Sequence, residues 1–138
     1  MKSLFIPEKS VFSDAFDVRS KFNGVSAAFL NTLAIEKAKR GYSVAIIPYS
    51  LVDLFLTSGF FKESRTFELV KAFIDVEESV FSENLDADYF EVARVRAVDK
   101  EPRIVTNRTD LDTFRGQHGT HVITTERALK LIDEGLEL

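Results

Sequence analysis

Apolar positions along the chain alternate between short continuous runs and stripes repeating every three or four residues, a pattern of buried strands separated by amphipathic helices. Leu4-Phe5-Ile6 is the first run and predicts a short buried strand. Pro7 cannot donate to a ladder, so Glu8-Lys9-Ser10 is expected to leave the strand as a turn. Val11 and Phe12 carry apolar character onward, Ser13 is the expected N-cap of a short helix reaching about Phe22, and Asn23-Gly24 is expected to break it. The clearest helix follows. Ser26 would cap it, Phe29, Leu30, Leu33, Ala34 and Ala38 share one face, Lys37, Lys39 and Arg40 complement the dipole at its end, and Gly41 is a natural stop.

Val44-Ala45-Ile46-Ile47 is apolar throughout, as a strand covered on both faces should be. Pro48-Tyr49-Ser50 ends it, and Ser50 can cap a short helix from Leu51 to Thr57 that Ser58-Gly59 closes. Thr66 opens another helix, with Phe67, Val70, Phe73 and Ile74 as its stripe. Residues 77–81 fit a short exposed strand or a loop edge. Asn84 to Asp88 starts a helix with acids where its N-terminus favours them, Tyr89, Val92, Ala93 and Ala97 form its inner face, and Glu101-Pro102 ends it. Arg103 to Asn107 predicts a strand and Asp110 to Arg115 a short helix. Gly116 and Gly119 bracket a turn, and His121-Val122-Ile123 predicts a last strand. Thr124-Thr125-Glu126 starts the closing helix, with Leu129 and Ile132 inward and Gly135 as its stop.

Strands and helices alternate from end to end, which implies an α/β fold, a three-layer α/β/α domain with a central, mostly parallel sheet. There is no repeat, linker or low-complexity segment, so residues 1–138 read as a single domain. With 45% hydrophobic and 29% charged residues the chain is an ordinary globular one, and its 13 Phe without any Trp point to a Phe-rich core. The absence of cysteine removes disulfides, thiol catalysis and zinc–thiolate sites together. No apolar run approaches a membrane span, and Met1 to Ile6 lacks the apolar stretch of a signal peptide, so a cytoplasmic location is expected. A formal net charge of −4 argues against broad basic patches for duplex binding. It leaves room for an acidic metal site, which lowers net charge until cations restore it.

Ligands of open parallel sheets bind beyond the carboxyl ends of the strands. Glu8 follows the first strand, Asp53 lies on the first turn after the second, Thr106, Asn107 and Asp110 follow the third, and Asp88 opens the helix leading into it. Singly, Asp53 and Asp88 read as helix-start caps. Jointly, converging carboxylates repel one another without cations and suit Mg²⁺ or Mn²⁺, hard ions that take oxygen ligands. Such ions can activate water and stabilise a leaving oxygen in phosphodiester cleavage. His118 and His121 flank a turn with no third partner, and Arg94 and Arg96 read as the exposed face of their helix.

The chain resembles the PIN-domain nucleases, including the VapC-type toxins of toxin–antitoxin pairs, over nearly its whole length. Leu4 to Phe12 looks like the family's opening strand, which usually ends in Asp followed by a small hydroxyl residue. Ile46 to Phe55 is similar to the second strand and its helix, which usually carry Glu where Asp53 stands. Asp88 to Ala93 resembles the helix that begins with the third acid, and Ile104-Val105-Thr106-Asn107-Arg108-Thr109-Asp110 resembles the Thr-Asn-Asp-x-Asp corner. His121 to Thr124 fits the closing strand. The resemblance implies an endoribonuclease in which Glu8, Asp53, Asp88 and Asp110 hold Mg²⁺ or Mn²⁺ and Thr106 supports them. Ser10, Asn107 and Arg108 would lie toward the RNA, and an antitoxin chain and a second copy would be partners.

Departures from the pattern open an alternative. Glu8 and Asp53 exchange the expected carboxylates by one methylene, and Arg108 reverses the charge of the expected fourth acid. A guanidinium inside the cluster could replace a metal ion and pair with Asp88 or Glu8, leaving a catalytically impaired module that binds RNA or a protein. Pointing outward, it could instead meet RNA phosphate in an active enzyme. A different doubly wound domain with an acidic pocket, such as a receiver-like fold, is the third reading.

Overall fold

The computed structural model describes residues 3–40, 100–108 and 122–134. The strand expected at 44–47, the helices expected between 51 and 99 and the short helix after 110 lie outside the described residues. So do Asp53, Asp88, Asp110, His118 and His121.

Three strands form a parallel sheet in the order β1 (Ser3–Pro7), β2 (Glu101–Thr106), β3 (Val122–Thr124). Ile6 lies opposite Ile104 and Pro7 opposite Val105; on the other side of β2, Ile104 lies opposite Val122 and Thr106 opposite Thr124. With its helices, this sheet makes the described part of the chain α/β, as the alternating pattern implies. All five residues of β1 are buried, which explains the unbroken Leu4-Phe5-Ile6 run: neither face of the strand meets water. Pro7 interrupts donation for one position only, because the Glu8 N–H donates to the Val105 carbonyl at 2.8 Å and extends the pairing past it. Glu101-Pro102, expected to end a helix, opens β2, and Asn107 falls just beyond it.

Helix α1 (Lys9–Ala15) follows β1 without the expected turn. Glu8 itself takes the extended N-cap position, so Lys9 and Ser10 are helical and Ser13 lies inside the helix rather than capping it. Val11 and Phe12 face the core. The turn from Phe16 to Phe22 is held by side chains. The Arg19 N–H donates to Asp17 Oδ1 at 3.0 Å, the Phe22 N–H to Ser20 Oγ at 3.1 Å, and Asn23 Nδ2 to the last carbonyls of α1, Asp14 O and Ala15 O, at 3.0 and 3.1 Å.

Helix α2 (Asn23–Arg40) begins at the residues expected to break it. Asn23 serves as the C-terminal cap of α1 while starting α2, and Ser26 sits inside the first turn rather than at the cap. Phe29, Leu30 and Leu33 are fully buried, whereas Ala34 is half-buried and Ala38 exposed, so the apolar stripe fades along the helix. Phe29 meets Phe5 edge to face, with centroids 5.9 Å apart and planes at 71°. This geometry adds about 1 kcal/mol beyond area burial. Helix α3 (Thr125–Asp133) is capped by Thr124, whose hydroxyl accepts from the Arg127 N–H at 3.2 Å. Its inward residues are Ala128, Leu131 and Ile132. Leu129, expected inward, is only half-buried, because Ala128 and Leu131 turn to the core beside Ile132. No helix among the described residues is long and apolar enough to cross a membrane.

Candidate functional site

The carboxyl ends of β1 and β2 lie side by side although residues 8–100 separate them in sequence, and polar side chains collect there. Glu8 is the first. Its backbone is fixed by the ladder bond to Val105 and by the Val11 N–H, which donates to the Glu8 carbonyl at 3.0 Å. Only 5% of its surface reaches solvent. One carboxylate oxygen, Oε1, accepts from both Ser10 Oγ at 2.5 Å and Thr106 Oγ1 at 2.7 Å. The other, Oε2, has no hydrogen-bond partner among the described residues, and no basic group there pairs with Glu8. A buried carboxylate oxygen is costly unless a hydrogen-bond donor or a cation completes its shell. A carboxylate oxygen is the hard ligand type that Mg²⁺ or Mn²⁺ takes, and Glu8 would supply one such ligand.

Thr106 is the second anchor. Its hydroxyl donates to Glu8, accepts from the Arg108 N–H at 3.0 Å, and lies 3.4 Å from Ser10 Oγ. The strand register sets up this arrangement, since Pro7 pairs with Val105 and brings Glu8, just past the end of β1, beside Thr106, the last residue of β2. Replacing Thr106 with Val keeps the branched shape and removes the donor to Glu8 and the acceptor for Arg108. A loss of about 1–2 kcal/mol in urea unfolding is expected. Unchanged stability would mean that the Thr106–Glu8 bond is not formed in solution.

Asn107 is the third element and is 8% exposed. Its N–H donates to Ser10 Oγ at 2.9 Å. Its side-chain Nδ2 donates to Asp14 Oδ2 at 3.0 Å and to Ser26 Oγ at 2.7 Å, and Oδ1 accepts from Thr125 Oγ1 at 2.5 Å. One amide therefore ties the end of β2 to α1, α2 and α3. Three of these partners, Asp14, Ser26 and Thr125, are not among the site residues expected from the sequence. A signal for Ser26 is nonetheless present: it falls on the stripe of Leu30 and Leu33, where a polar residue needs a buried partner.

A cleft of about 670 Å³ opens on the β3 side of this corner. Lys21, Phe22 and Val25 form one wall, Thr106, Asn107 and Arg108 its floor, and Thr124, Thr125 and Glu126 the opposite wall. Glu8 does not line it; Thr106 belongs to both the cleft and the carboxylate cluster.

Of the residues expected at the site, the structure brings together Glu8, Ser10, Thr106, Asn107 and Arg108. Asp53, Asp88 and Asp110 lie outside the described residues. Among the described residues no group of three or more His, Cys, Asp or Glu could hold a metal ion, so Glu8 alone represents the expected ligand set. Arg108 does not pair with Glu8, and Asp88, the other acid expected to meet that guanidinium, lies outside the described residues. The chain matches no family model, no curated protein and no solved structure.

Proposed function

We propose that this chain is a PIN-like, Mg²⁺- or Mn²⁺-dependent endoribonuclease with a three-layer α/β/α fold, acting in the cytoplasm. The observation that supports it most directly is the buried Glu8 at the carboxyl end of β1. Ser10 and Thr106 hold it through one oxygen, while the other has no partner among the described residues. In this reading Glu8, Asp53, Asp88 and Asp110 hold the cation, and Thr106 and Ser10 fix the Glu8 carboxylate in one orientation. Asn107 locks Thr106 in place by binding three helices at once. When bound, the cation supplies an activated water and neutralises charge on the phosphodiester. RNA is the substrate, and an antitoxin chain and a second copy are the partners that the PIN resemblance suggests.

Arg108 favours a second reading, a PIN-fold module that binds RNA or protein without cleaving. It stands where the family carries an acid, its N–H is bonded to Thr106, and it lines the cleft. Titration of Mn²⁺ into the wild type and into Arg108→Asp, followed by calorimetry, separates the two. Binding by the wild type supports the nuclease. Binding only by Arg108→Asp supports the impaired module. Binding by neither rejects the metal site.

A further inference from the structure

We propose that the cleft between the α1–α2 turn and the carboxyl ends of β2 and β3 binds one unpaired nucleotide of an RNA strand. Lys21 and Arg108 meet its phosphate, and Phe22 and Val25 take its base or ribose face. This rests on RNA being the ligand, as in the proposed function, and adds the place where the strand is held.

Size is the first argument. About 670 Å³ lies within the range of small-ligand clefts and admits a nucleotide, but not a duplex. Chemistry is the second. Among the described residues the lining combines an aromatic ring, an aliphatic side chain, the cations Lys21 and Arg108 and one carboxylate, Glu126. Aromatic surface beside positive charge is the combination by which proteins hold single strands. Preorganisation is the third. The Lys21 ammonium sits 5.1 Å from the centroid of the Phe22 ring, which restrains a side chain that would otherwise sample solvent. The turn carrying both residues is pinned by the Ser20 bond to the Phe22 N–H and by Asn23 on the end of α1. Thr106 connects this cleft to Glu8, so a strand seated here runs toward the carboxylate.

The test is fluorescence anisotropy of a labelled single-stranded RNA of roughly six nucleotides, with the full chain in EDTA, where cleavage does not interfere. The wild type is expected to bind. Lys21→Glu, at an exposed position, should weaken binding by about tenfold and lower the slope of log K against log salt by about 0.7. Phe22→Ala should weaken binding by about five- to a hundredfold, with Phe22→Leu between, and duplex RNA should bind more weakly than the single strand. Absence of binding by the wild type, or an affinity unmoved by Lys21→Glu, overturns the proposal. Cleavage in Mn²⁺ is scored separately. If RNA is cut with a KM indifferent to Lys21→Glu, the nuclease stands and the cleft is wrong. If nothing is cut but Lys21→Glu abolishes binding, the cleft stands and the nuclease is wrong.

Discussion

Asn107→Ala is expected to cost about 3–5 kcal/mol of folding stability, several times the typical effect of a point substitution. The side chain is almost fully buried and has hydrogen bonds to Asp14, Ser26 and Thr125, one on each of α1, α2 and α3. Truncation strands the Ser26 and Thr125 hydroxyls, which are 0% and 1% exposed, and each buried group left without a partner costs about 1–3 kcal/mol. It also removes the only side chain seen to join all three helices to the sheet end. In urea the midpoint should fall sharply with the slope unchanged. Asn107→Asp sharpens the test, because it keeps the shape and turns the Nδ2 donor into an oxygen facing the Asp14 carboxylate across 3.0 Å. It should be at least as damaging as alanine, and Asp14→Asn in the same chain should recover part of the loss, giving a coupling of about 1–3 kcal/mol. A loss below about 1 kcal/mol for Asn107→Ala would show that the three bonds are not formed together.

Individual residues show how much of this corner could be read from the sequence. The strands were legible because Leu4-Phe5-Ile6 and Ile104-Val105 are apolar on consecutive positions, which only strands buried on both faces require. Glu8, Thr106 and Asn107 were legible because each lies within two residues of the end of such a run. Thr124 caps α3 as expected, whereas α1 and α2 start elsewhere than at Ser13 and Ser26. Ser13 and Ser26 have the residue type of caps, yet Glu8 takes the first cap position by its backbone alone, and Ser26 uses its hydroxyl on Asn107 instead. At Ser26 a long-range partner thus outcompeted the local one, and spacing along the chain carries no trace of that. Asp14 was missed for a related reason. On an amphipathic helix it reads as a solvent-facing acid, and only the arrival of Asn107, far along the sequence, gives it a partner.

The same geometry separates what holds the corner together from what the corner is for. Asn107 is satisfied at every side-chain polar atom, the signature of a structural group. Among the described residues Glu8 is satisfied at one oxygen only, although the two residues sit at the ends of neighbouring strands. A stability device would be expected to use both oxygens. An incomplete shell on a buried carboxylate suits a group that shares its second oxygen with something other than the described protein atoms.

Glu8→Gln follows from that difference and should split stability from activity. The amide keeps an oxygen to accept from Ser10 and Thr106, so the fold is retained; in EDTA its stability should stay within about 1 kcal/mol of the wild type. What is lost is the carboxylate that would face the cation in the proposed nuclease. Mn²⁺ should raise the melting temperature of the wild type by mass action and leave Glu8→Gln unmoved. RNA cleavage should fall by about 10²–10³-fold, the equivalent of several kcal/mol of transition-state charge stabilisation. Glu8→Ala is the control that removes the hydroxyls' acceptor as well, and it should lose both stability and activity. Cleavage by Glu8→Gln at the wild-type rate, or equal stabilisation of both proteins by Mn²⁺, would sink the assignment of Glu8 as a metal ligand. Cleavage by neither protein, with Mn²⁺ shifting neither melting curve, would turn the balance to Arg108 and the non-cleaving module. In that case the single-strand cleft beside Thr106 would be the functional end of the sheet.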